Sequence, residues 1–353
     1  MTRLPILLFA GILFSCGDKR TQEPTEPLPY ASGDVTFKSL AGDVTLSGTV
    51  TAPLGDTSST AVILVSGSGP DDRNYTNQFG HRPFLVLSDY LTQRGLTVLR
   101  YDERGVGQSE GRYREATYEN LVDDIAGGVQ YLRQKGFKKI GIIGHSQGGN
   151  MAPLAAQKAA VDFLVLMAPP NATGRDITRH QVQRRLREVG ASEAISREVV
   201  STTDSLLSIL QAEQNSAAAM TKMEALVAQK EKSASPEYNT ITRQMGDVHH
   251  LLEGWLDPKF VFAIDNNPVA GLKTVTVPVL ILYGDADGAM DVSANLPAQE
   301  AALDSVPHQI KVFPGLGHLF MNSQGVPIEK LHTVEETLSP EVLETIHTWI
   351  QSL

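Results

Sequence analysis

One serine in this chain stands between two glycines, in the run G-H-S-Q-G at residues 144–148. Residues 139–143 before it contain three isoleucines and predict a short buried strand, while the alanine-rich residues 150–160 predict a helix. A chain that turns this sharply from strand to helix has no room for side chains at the two glycines, and it exposes the serine oxygen at the tip. The pattern therefore predicts that Ser146 is a nucleophile rather than part of a structural glycine-serine turn.

A serine hydroxyl attacks a carbonyl only when a base takes its proton, so the chain should also hold an oriented histidine. His318 lies in the run F-P-G-L-G-H-L-F at residues 313–320, after the last segment that predicts a strand, and we expect it to be the base. His145 adjoins the serine but must point elsewhere, which predicts a structural role. His249 and His250 lack paired ligands at metal spacing, so we expect a solvated helix face there and no zinc site.

The base needs a carboxylate that holds its tautomer, and the order serine, acid, histidine predicts that it lies between residues 146 and 318. The run Y-G-D-A-D-G at residues 283–288 follows a buried strand and offers two aspartates. We expect Asp287 to be the acid and Asp285 to cap the turn at the end of the strand. Asp291 is a third candidate.

Two backbone N–H groups are expected to stabilise the negative charge on a carbonyl oxygen under attack. The N–H of Gln147 directly follows the serine and points at the same small volume. The second should come from the S-G-S-G-P loop at residues 66–70, where we expect the N–H of Ser68 to be the partner. The alternative is a plain glycine-serine turn with no binding role.

Two other motifs favour structural interpretations. The run R-G-V-G-Q-S-E-G at residues 104–111 is rich in glycine, but its spacing differs from the dinucleotide-binding and P-loop patterns, so we expect a tight loop. Five arginines begin the later helical segment, where they predict a solvated helix face in preference to a contact with anionic lipid or an acidic substrate. They are Arg175, Arg179, Arg184, Arg185 and Arg187.

The segments around these residues alternate between strand and helix patterns. Residues 34–40 and 44–50 alternate apolar and polar side chains, which predicts an antiparallel hairpin. Continuously apolar runs follow, typical of buried parallel strands, with helical segments between them. The predicted strands are 61–65, 96–101, 140–143, 163–167, 277–283 and 309–313, and the predicted helices are 84–94, 118–135, 150–160 and 340–353, the last behind a Ser339 cap. The fold class is therefore α/β, with a doubly wound, mostly parallel sheet and an N-terminal antiparallel hairpin.

About a hundred residues between 170 and 277 carry helical patterning and no convincing strand. A structureless loop of that length would be unusual, so we expect a helical insertion. Its position above the C-terminal edge of the sheet makes it a lid candidate, while the alternatives are surface padding or a dimer contact. We expect its apolar residues to reach the rim of the site and to line a pocket. These are Leu206, Leu207, Ile209, Leu210 and the stretch 255–262.

The first residues carry a targeting pattern. A basic start at residues 1–3 precedes an apolar run at 4–14 that is too short to span a membrane, and the chain's one cysteine, Cys16, follows. This resembles a bacterial lipobox, so we expect lipidation of Cys16 in preference to a plain signal peptide. Residues 18–29 predict a disordered tether. We then expect the protein in the bacterial cell envelope, lipid-anchored and exported, facing the periplasm or the cell surface.

Length and charge limit the function classes. The 353 residues carry a formal net charge of −10, with 41% hydrophobic and 20% charged residues. Nucleic-acid binding needs a basic face, so this charge argues against a nucleic-acid partner. The predicted organisation is a lipoprotein signal peptide at 1–15, a tether at 16–32, a core in two parts at 33–170 and 273–353, and the helical lid insertion at 171–272.

The motifs together resemble those of the α/β-hydrolase superfamily, and are similar to secreted bacterial esterases and serine-aminopeptidase-like hydrolases. The resemblance runs from about residue 35 to 353 outside the insertion. Its motifs are S-G-S-G-P at 66–70, G-H-R-P-F at 80–84, R-Y-D-E-R-G-V-G at 100–107 and G-H-L-F at 317–320. Two features depart from it: Ser66 stands where many relatives have histidine, and G-A-M at 288–290 replaces the usual valine-bearing stretch after the acid.

The resemblance implies that Ser146 attacks an acyl carbonyl, His318 takes and returns the proton, and Asp287 orients the histidine. Water then hydrolyses the acyl-enzyme, with no metal or organic cofactor. A small-molecule carboxylic ester is the expected substrate. The alternative of a serine aminopeptidase or amidase needs a carboxylate for the substrate's amine, which Glu103, Asp72 or an acid on the insertion could supply. A binding lipoprotein that no longer catalyses is the alternative from another class, and the intact serine, aspartate and histidine argue against it.

Overall fold

The structure is a computed structural model and describes residues 20–55, 59–293, 296–323, 326 and 328–353. One sheet crosses this part of the chain, which contains eight strands. They are β1 (Ala31–Lys38), β2 (Thr45–Ala52), β3 (Thr60–Val65), β4 (Thr97–Tyr101), β5 (Lys139–His145), β6 (Phe163–Met167), β7 (Val279–Gly284) and β8 (His308–Phe313). Their order across the sheet is β1-β2-β4-β3-β5-β6-β7-β8. The pairs β1-β2 and β2-β4 are antiparallel and all others are parallel, so the predicted hairpin and the mostly parallel sheet are confirmed.

Helices flank the sheet and form the insertion. They are α1 (Pro83–Thr92), α2 (Tyr118–Gln134), α3 (Gln147–Lys158), α4 (Gly174–Glu188), α5 (Glu193–Ala212), α6 (Ser216–Ser233), α7 (Pro236–Met245), α8 (Val248–Trp255), α9 (Pro258–Ala263), α10 (Pro268–Leu272), α11 (Leu296–Leu303) and α12 (Pro340–Ser352). Two pairs of flanking helices pack on each other, α1 with α12 and α2 with α3. Every residue of the central strand β6 is buried. Strands covered on both faces carry continuous apolar runs, which is why the central strands could be predicted.

The ends of two flanking helices differ in how they are capped. Thr117 caps the start of helix α2: its side chain accepts the backbone N–H of Asn120, while the Asn120 side chain accepts that of Thr117. Ser339 occupies the corresponding position before α12, but its side chain makes no capping hydrogen bond. The predicted Ser339 side-chain cap is therefore wrong, and Pro340 in the first turn, which has no N–H to satisfy, is the remaining start signal of that helix.

Helices α4 to α9 of the insertion bury apolar side chains in cores of their own, whereas Val269 and Leu272 of α10 pack in the main core. Leu206, Leu207 and Leu210 of α5 pack against Met223 of α6 and Trp255 of α8. Ile209, Leu256, Phe260 and Val261 pack on the same cluster. The predicted pocket lining is therefore wrong for Leu206, Leu207 and Leu210, because neighbouring helices of the insertion cover the apolar face of α5. Phe262, the last residue of the predicted stretch, is 44% exposed and stacks on the Tyr118 ring. The predicted helical character of this segment is confirmed.

Residues 20–30 lie against the core. The carboxylate of Glu23 is buried and accepts two hydrogen bonds from the Arg82 guanidinium. The side-chain oxygen of Gln22 accepts the N–H groups of Thr337 and Leu338. The prediction of a disordered tether is therefore wrong from residue 20 onwards, and β1 begins within the range 16–32 that was assigned to it. The predicted signal peptide at 1–15 and Cys16 lie outside the described residues.

Candidate active site

Ser146 occupies the sharp turn between β5 and α3. Its φ is +52°, a conformation that residues other than glycine adopt rarely. A Cβ at Gly144 would lie 2.4 Å from the carbonyl oxygen of Gly148, and a Cβ at Gly148 would lie 2.4 Å from the carbonyl oxygen of Ser66. The turn therefore requires both glycines, and it leaves the Ser146 side chain half-buried at the C-terminal end of β5.

Hydrogen bonds link the three side chains predicted to act together in a row, with His318 in the middle. His318 Nε2 is 3.0 Å from Ser146 Oγ, and His318 Nδ1 is 2.7 Å from Asp287 Oδ2. The other carboxylate oxygen of Asp287 accepts the N–H of Ala289 at 2.7 Å. A carboxylate that accepts Nδ1–H leaves Nε2 as the acceptor for the serine proton. The arrangement can therefore activate a hydroxyl as a nucleophile.

The two other candidate acids make different contacts. Asp285 Oδ1 accepts the N–H of Gly315 at 2.6 Å, which braces the loop that leads to His318. This agrees with the expectation that Asp285 supports the turn at the strand end. The main-chain carbonyl of Asp291 accepts a hydrogen bond from the Asn171 side chain at 2.8 Å. Of the three aspartates, the structure brings Asp287 to the histidine ring.

His145 connects the nucleophile's strand to the loop of the base. Its Nε2 is 2.9 Å from the main-chain oxygen of His318, and its Nδ1 is 3.0 Å from the hydroxyl of Tyr75. Complete burial lowers the pKa of His145 to about 3, so the ring is neutral at physiological pH. A neutral ring that donates from Nε2 must accept at Nδ1, so Tyr75 is the donor there. Sequence reasoning did not find Tyr75, because nothing in its local sequence marks it.

The two segments predicted to supply oxyanion donors lie close to the serine. The N–H of Gln147 is the first of α3 and has no carbonyl to bond within the helix. Ser68 follows Gly67, at which a Cβ would lie 3.2 Å from the Cβ of Ser146. The loop therefore passes near enough to the serine for a backbone N–H to reach a carbonyl oxygen attacked there.

A buried carboxyl group supports the loop at Ser66. The Ser66 hydroxyl donates to Glu103 Oε1 at 3.0 Å, and Glu103 is 2% exposed. Burial raises the pKa of Glu103 to about 8, and burial raises the pKa of the neighbouring Asp71 to about 6. Glu103 is therefore mostly protonated at neutral pH. A neutral acid at this point adds no negative charge behind the loop that should bind an oxyanion.

The acids predicted to hold a substrate's amine have other roles. Glu103 is buried and mostly neutral at pH 7. Asp72 Oδ1 accepts the backbone N–H groups of Asn74 at 3.1 Å and Thr76 at 2.9 Å, so its carboxylate builds a turn. The acids beside the arginines of α4 are paired within the insertion. These pairs are Arg175 with Asp265, Arg179 with Asp176 and Asp204, Arg184 with Glu188, and Arg185 with Glu188.

The insertion is bonded to two loops beside the site. The buried Lys259 of α9 donates to the main-chain oxygen of Tyr113 at 2.9 Å, and its ammonium lies 4.2 Å from the centroid of the Tyr113 ring. On the other side, Gln181 of α4 donates to the main-chain oxygen of Ala289 at 3.1 Å, two residues after Asp287. The insertion therefore contacts the loop of the candidate acid and the loop that contains Tyr113.

His249 and His250 lie on α8, as the sequence indicated. Both are exposed, and both rings lie within 4 Å of Glu253 carboxylate oxygens. Within the described ranges, no group of three or more histidine, cysteine, aspartate or glutamate side chains is arranged to hold a metal ion.

Comparison with known proteins places the chain among the hydrolases. A family model described as serine aminopeptidase, S33, matches residues 82–324. Esterase EstD of Thermotoga maritima is 23% identical over 350 residues, which cover 97% of this chain and 73% of that protein. An esterase of Pyrococcus furiosus is similar in structure, with a TM-score of 0.52, 17% identity and 92% of each chain covered. VinJ is also similar, with a TM-score of 0.52, 18% identity and 92% and 99% of the two chains covered. These structural likenesses show the α/β-hydrolase fold.

Proposed function

Because this chain belongs to the family described as serine aminopeptidase, S33, and has the α/β-hydrolase fold, we propose that it is a serine hydrolase that cleaves carboxylic esters. The observation that carries the proposal is the pair of hydrogen bonds that link Ser146 to His318 and His318 to Asp287. The substrate class is a small-molecule acyl ester. Support for an ester comes from the name of the Thermotoga maritima relative, which aligns with nearly the whole chain.

The proposed reaction has two halves. The Ser146 oxygen bonds to the acyl carbon as its proton passes to His318 Nε2, and the carbonyl electron pair moves onto an oxygen that the N–H groups of Gln147 and Ser68 stabilise. The bond from the acyl carbon to the alcohol oxygen then breaks, and His318 gives its proton to the leaving alcohol. Water repeats both steps on the acyl-enzyme and releases the carboxylic acid. Asp287 holds the tautomer of His318 and stabilises its protonated form.

Amide or aminopeptidase activity is the second candidate, and the family description is the observation that favours it. A free substrate amine would need an accessible, ionised carboxylate near Ser146. Glu103 is buried with a pKa raised to about 8, and the Asp72 carboxylate is occupied by backbone N–H groups. These contacts support an uncharged acyl ester over an aminoacyl amide. A binding protein without catalysis is less well supported, because the serine, histidine and aspartate keep their mutual hydrogen bonds.

The test combines covalent labelling with a substrate series. A fluorophosphonate probe should label the wild-type chain at Ser146, and Ser146→Ala should lose the label. Ser146→Ala should also lower kcat for acyl esters by roughly 10⁴ to 10⁶ while leaving the unfolding transition nearly unchanged. Aminoacyl amides with a free amine should be poorer substrates than acyl esters. Better turnover of those amides than of every ester would replace the ester proposal with the peptidase alternative.

We also propose that the protein is exported and held on a bacterial membrane by lipidation of Cys16. The support is the sequence alone: a basic start, an apolar run at residues 4–14 and the chain's one cysteine two residues after that run. No helix among the described residues is long and apolar enough to cross a membrane. The chain is packed on the core from residue 20, so few residues separate Cys16 from the folded part.

A further inference from the structure

The loop at residues 66–70 is contacted by a tyrosine hydroxyl at each of its two glycines. The N–H of Gly69 donates to the hydroxyl oxygen of Tyr113 at 2.9 Å. The Tyr75 hydroxyl lies against Gly67, where an added Cβ would be 2.5 Å from its oxygen. Ser68 lies between them with an exposed side chain, and none of the described hydrogen bonds uses its N–H.

The hydrogen-bond donors and acceptors of His145 and Tyr75 fit this arrangement. His145 donates from Nε2 to the main-chain oxygen of His318, so its Nδ1 must accept the proton of the Tyr75 hydroxyl. The lone pairs of the Tyr75 oxygen are not used in that bond, and the oxygen packs against Gly67. Burial raises the pKa of both Tyr75 and Tyr113 above the usual range, so both phenols keep their protons and stay neutral at physiological pH.

Both tyrosines are themselves held in place. Tyr75 has a φ of +57°, and its N–H donates to the main-chain oxygen of Asp72 at 2.8 Å. A non-glycine residue in this conformation persists only where the surrounding structure imposes it. Tyr113 is buried, and Lys259 of the insertion bonds to its main-chain oxygen and lies over its ring. The two hydroxyl groups are therefore fixed points rather than freely rotating side chains.

We propose that Tyr75 and Tyr113 are positioning residues that hold Gly67 and Gly69, so that the N–H of Ser68 stays unbonded and aimed at the oxyanion. The proposal rests on the proposed ester hydrolysis at Ser146 and adds two residues to it. A preorganised donor needs no reorientation when charge develops, and the loss of one donor costs roughly 10²- to 10³-fold in kcat. A donor that is present but less firmly held should cost less than a donor that is lost. We therefore expect each tyrosine to contribute about tenfold to kcat.

The experiment measures kcat and KM for a short p-nitrophenyl acyl ester and the inhibition constant of a trifluoromethyl ketone, whose adduct with serine carries an oxyanion. Tyr75→Phe and Tyr113→Phe should each lower kcat about tenfold, with KM changed less than about twofold. Ketone affinity should fall in parallel with kcat/KM, a response that general damage to the fold would not produce. Tyr30→Phe is the matched control, because Tyr30 is buried and its hydroxyl donates to Asp89 at 2.8 Å elsewhere in the fold.

A variant at Ser68 tests the same donor without touching a tyrosine. Ser68→Pro removes the backbone N–H and should lower kcat about 10²-fold or more, with a parallel fall in ketone affinity. Phenylalanine variants with wild-type kcat and ketone affinity would overturn the inference, and so would a fall in kcat with unchanged ketone affinity. If the wild type neither turns over esters nor labels at Ser146, the proposed function fails, and the inference fails with it.

Discussion

His145 donates its Nε2–H to the main-chain carbonyl of His318 at 2.9 Å, so the residue before the candidate nucleophile holds the backbone of the candidate base. The two imidazole rings meet edge to face, with their centroids 4.9 Å apart. Burial lowers the pKa of His145 to about 3, so this contact persists while the charge on His318 changes. The strand-to-helix turn and the loop after β8 are therefore held in fixed relation by a neutral histidine.

The acid can be assigned by two matched substitutions. Asp287→Asn should lower kcat for acyl esters by about 10⁴, because an asparagine in this place favours the wrong tautomer of His318. Asp285→Asn should cost less than about tenfold, because Asp285 supports the Gly315 backbone rather than the ring. The measurement is steady-state turnover of both variants, with their melting temperatures as a control. The reverse ranking would assign the acid to Asp285.

The central strands, β3 to β7, were predictable to within about two residues at each end, because each is a continuous apolar run buried on both faces. Ser146 and His318 could be proposed from local motifs, since the elbow glycines and the glycine-rich loop mark them in the sequence. Tyr75 and Tyr113 could not, because their importance depends on which loops the folded chain brings to their hydroxyl groups. Only the tertiary structure places them on either side of Ser68.

Two errors have the same physical origin. The spacing of the leucines along α5 shows that they share one face of the helix and need an apolar partner. It does not show whether a substrate or another helix covers them. Residues 20–30 have a polar composition typical of a tether, yet the buried Glu23 has a partner in Arg82, 59 residues away in the sequence. Packing partners that are distant in the chain decide both cases.

The buried Glu103 should make stability depend on pH. Burial raises its pKa from 4.5 to about 8 in the folded protein, so the folded state binds more protons than the unfolded state between these values. The stabilisation is complete below about pH 4.5 and is lost as the pH rises through about 8. Glu103→Gln keeps an acceptor for Ser66 and removes the titration. The fall in melting temperature from pH 6 to pH 9 should therefore be smaller in the variant by a few degrees.

The comparison between the variant and the wild type isolates Glu103. Asp71 and Asp124 also have pKa values raised to about 6 by burial, and both also make the melting temperature of the wild type fall as the pH rises. Both remain in Glu103→Gln, so their contribution cancels in the difference. An equal fall in melting temperature from pH 6 to pH 9 in the two proteins would show that Glu103 is ionised in the folded state already at pH 6.

Lipidation can be tested through Cys16. When the chain is expressed from its own start in a bacterium, the wild type should partition into detergent and incorporate labelled fatty acid. Cys16→Ser should abolish both, because the chain has no other cysteine to accept the lipid. Turnover by the solubilised wild type serves as the control that the protein is folded. Recovery of the wild type as a freely soluble, unlabelled protein would contradict the anchoring proposal.

Substitution of Lys259 tests whether this residue fixes the insertion to the core. Its buried ammonium donates to the main-chain oxygen of Tyr113 and, at 2.8 Å, pairs with the Asp257 carboxylate, so Lys259→Met removes a charge-assisted hydrogen bond and an ion pair. We expect the free energy of unfolding to fall by about 2 to 4 kcal/mol and amide exchange in α9 to accelerate. Because Tyr113 also accepts the Gly69 N–H, kcat should fall a few-fold as well.

Lys273→Met, at an exposed lysine, is the control and should change the free energy of unfolding by less than about 0.5 kcal/mol. Equally fast exchange of α9 in the wild type and in Lys259→Met would show that this lysine does not fasten the insertion, and it would favour a mobile lid over a fixed cap.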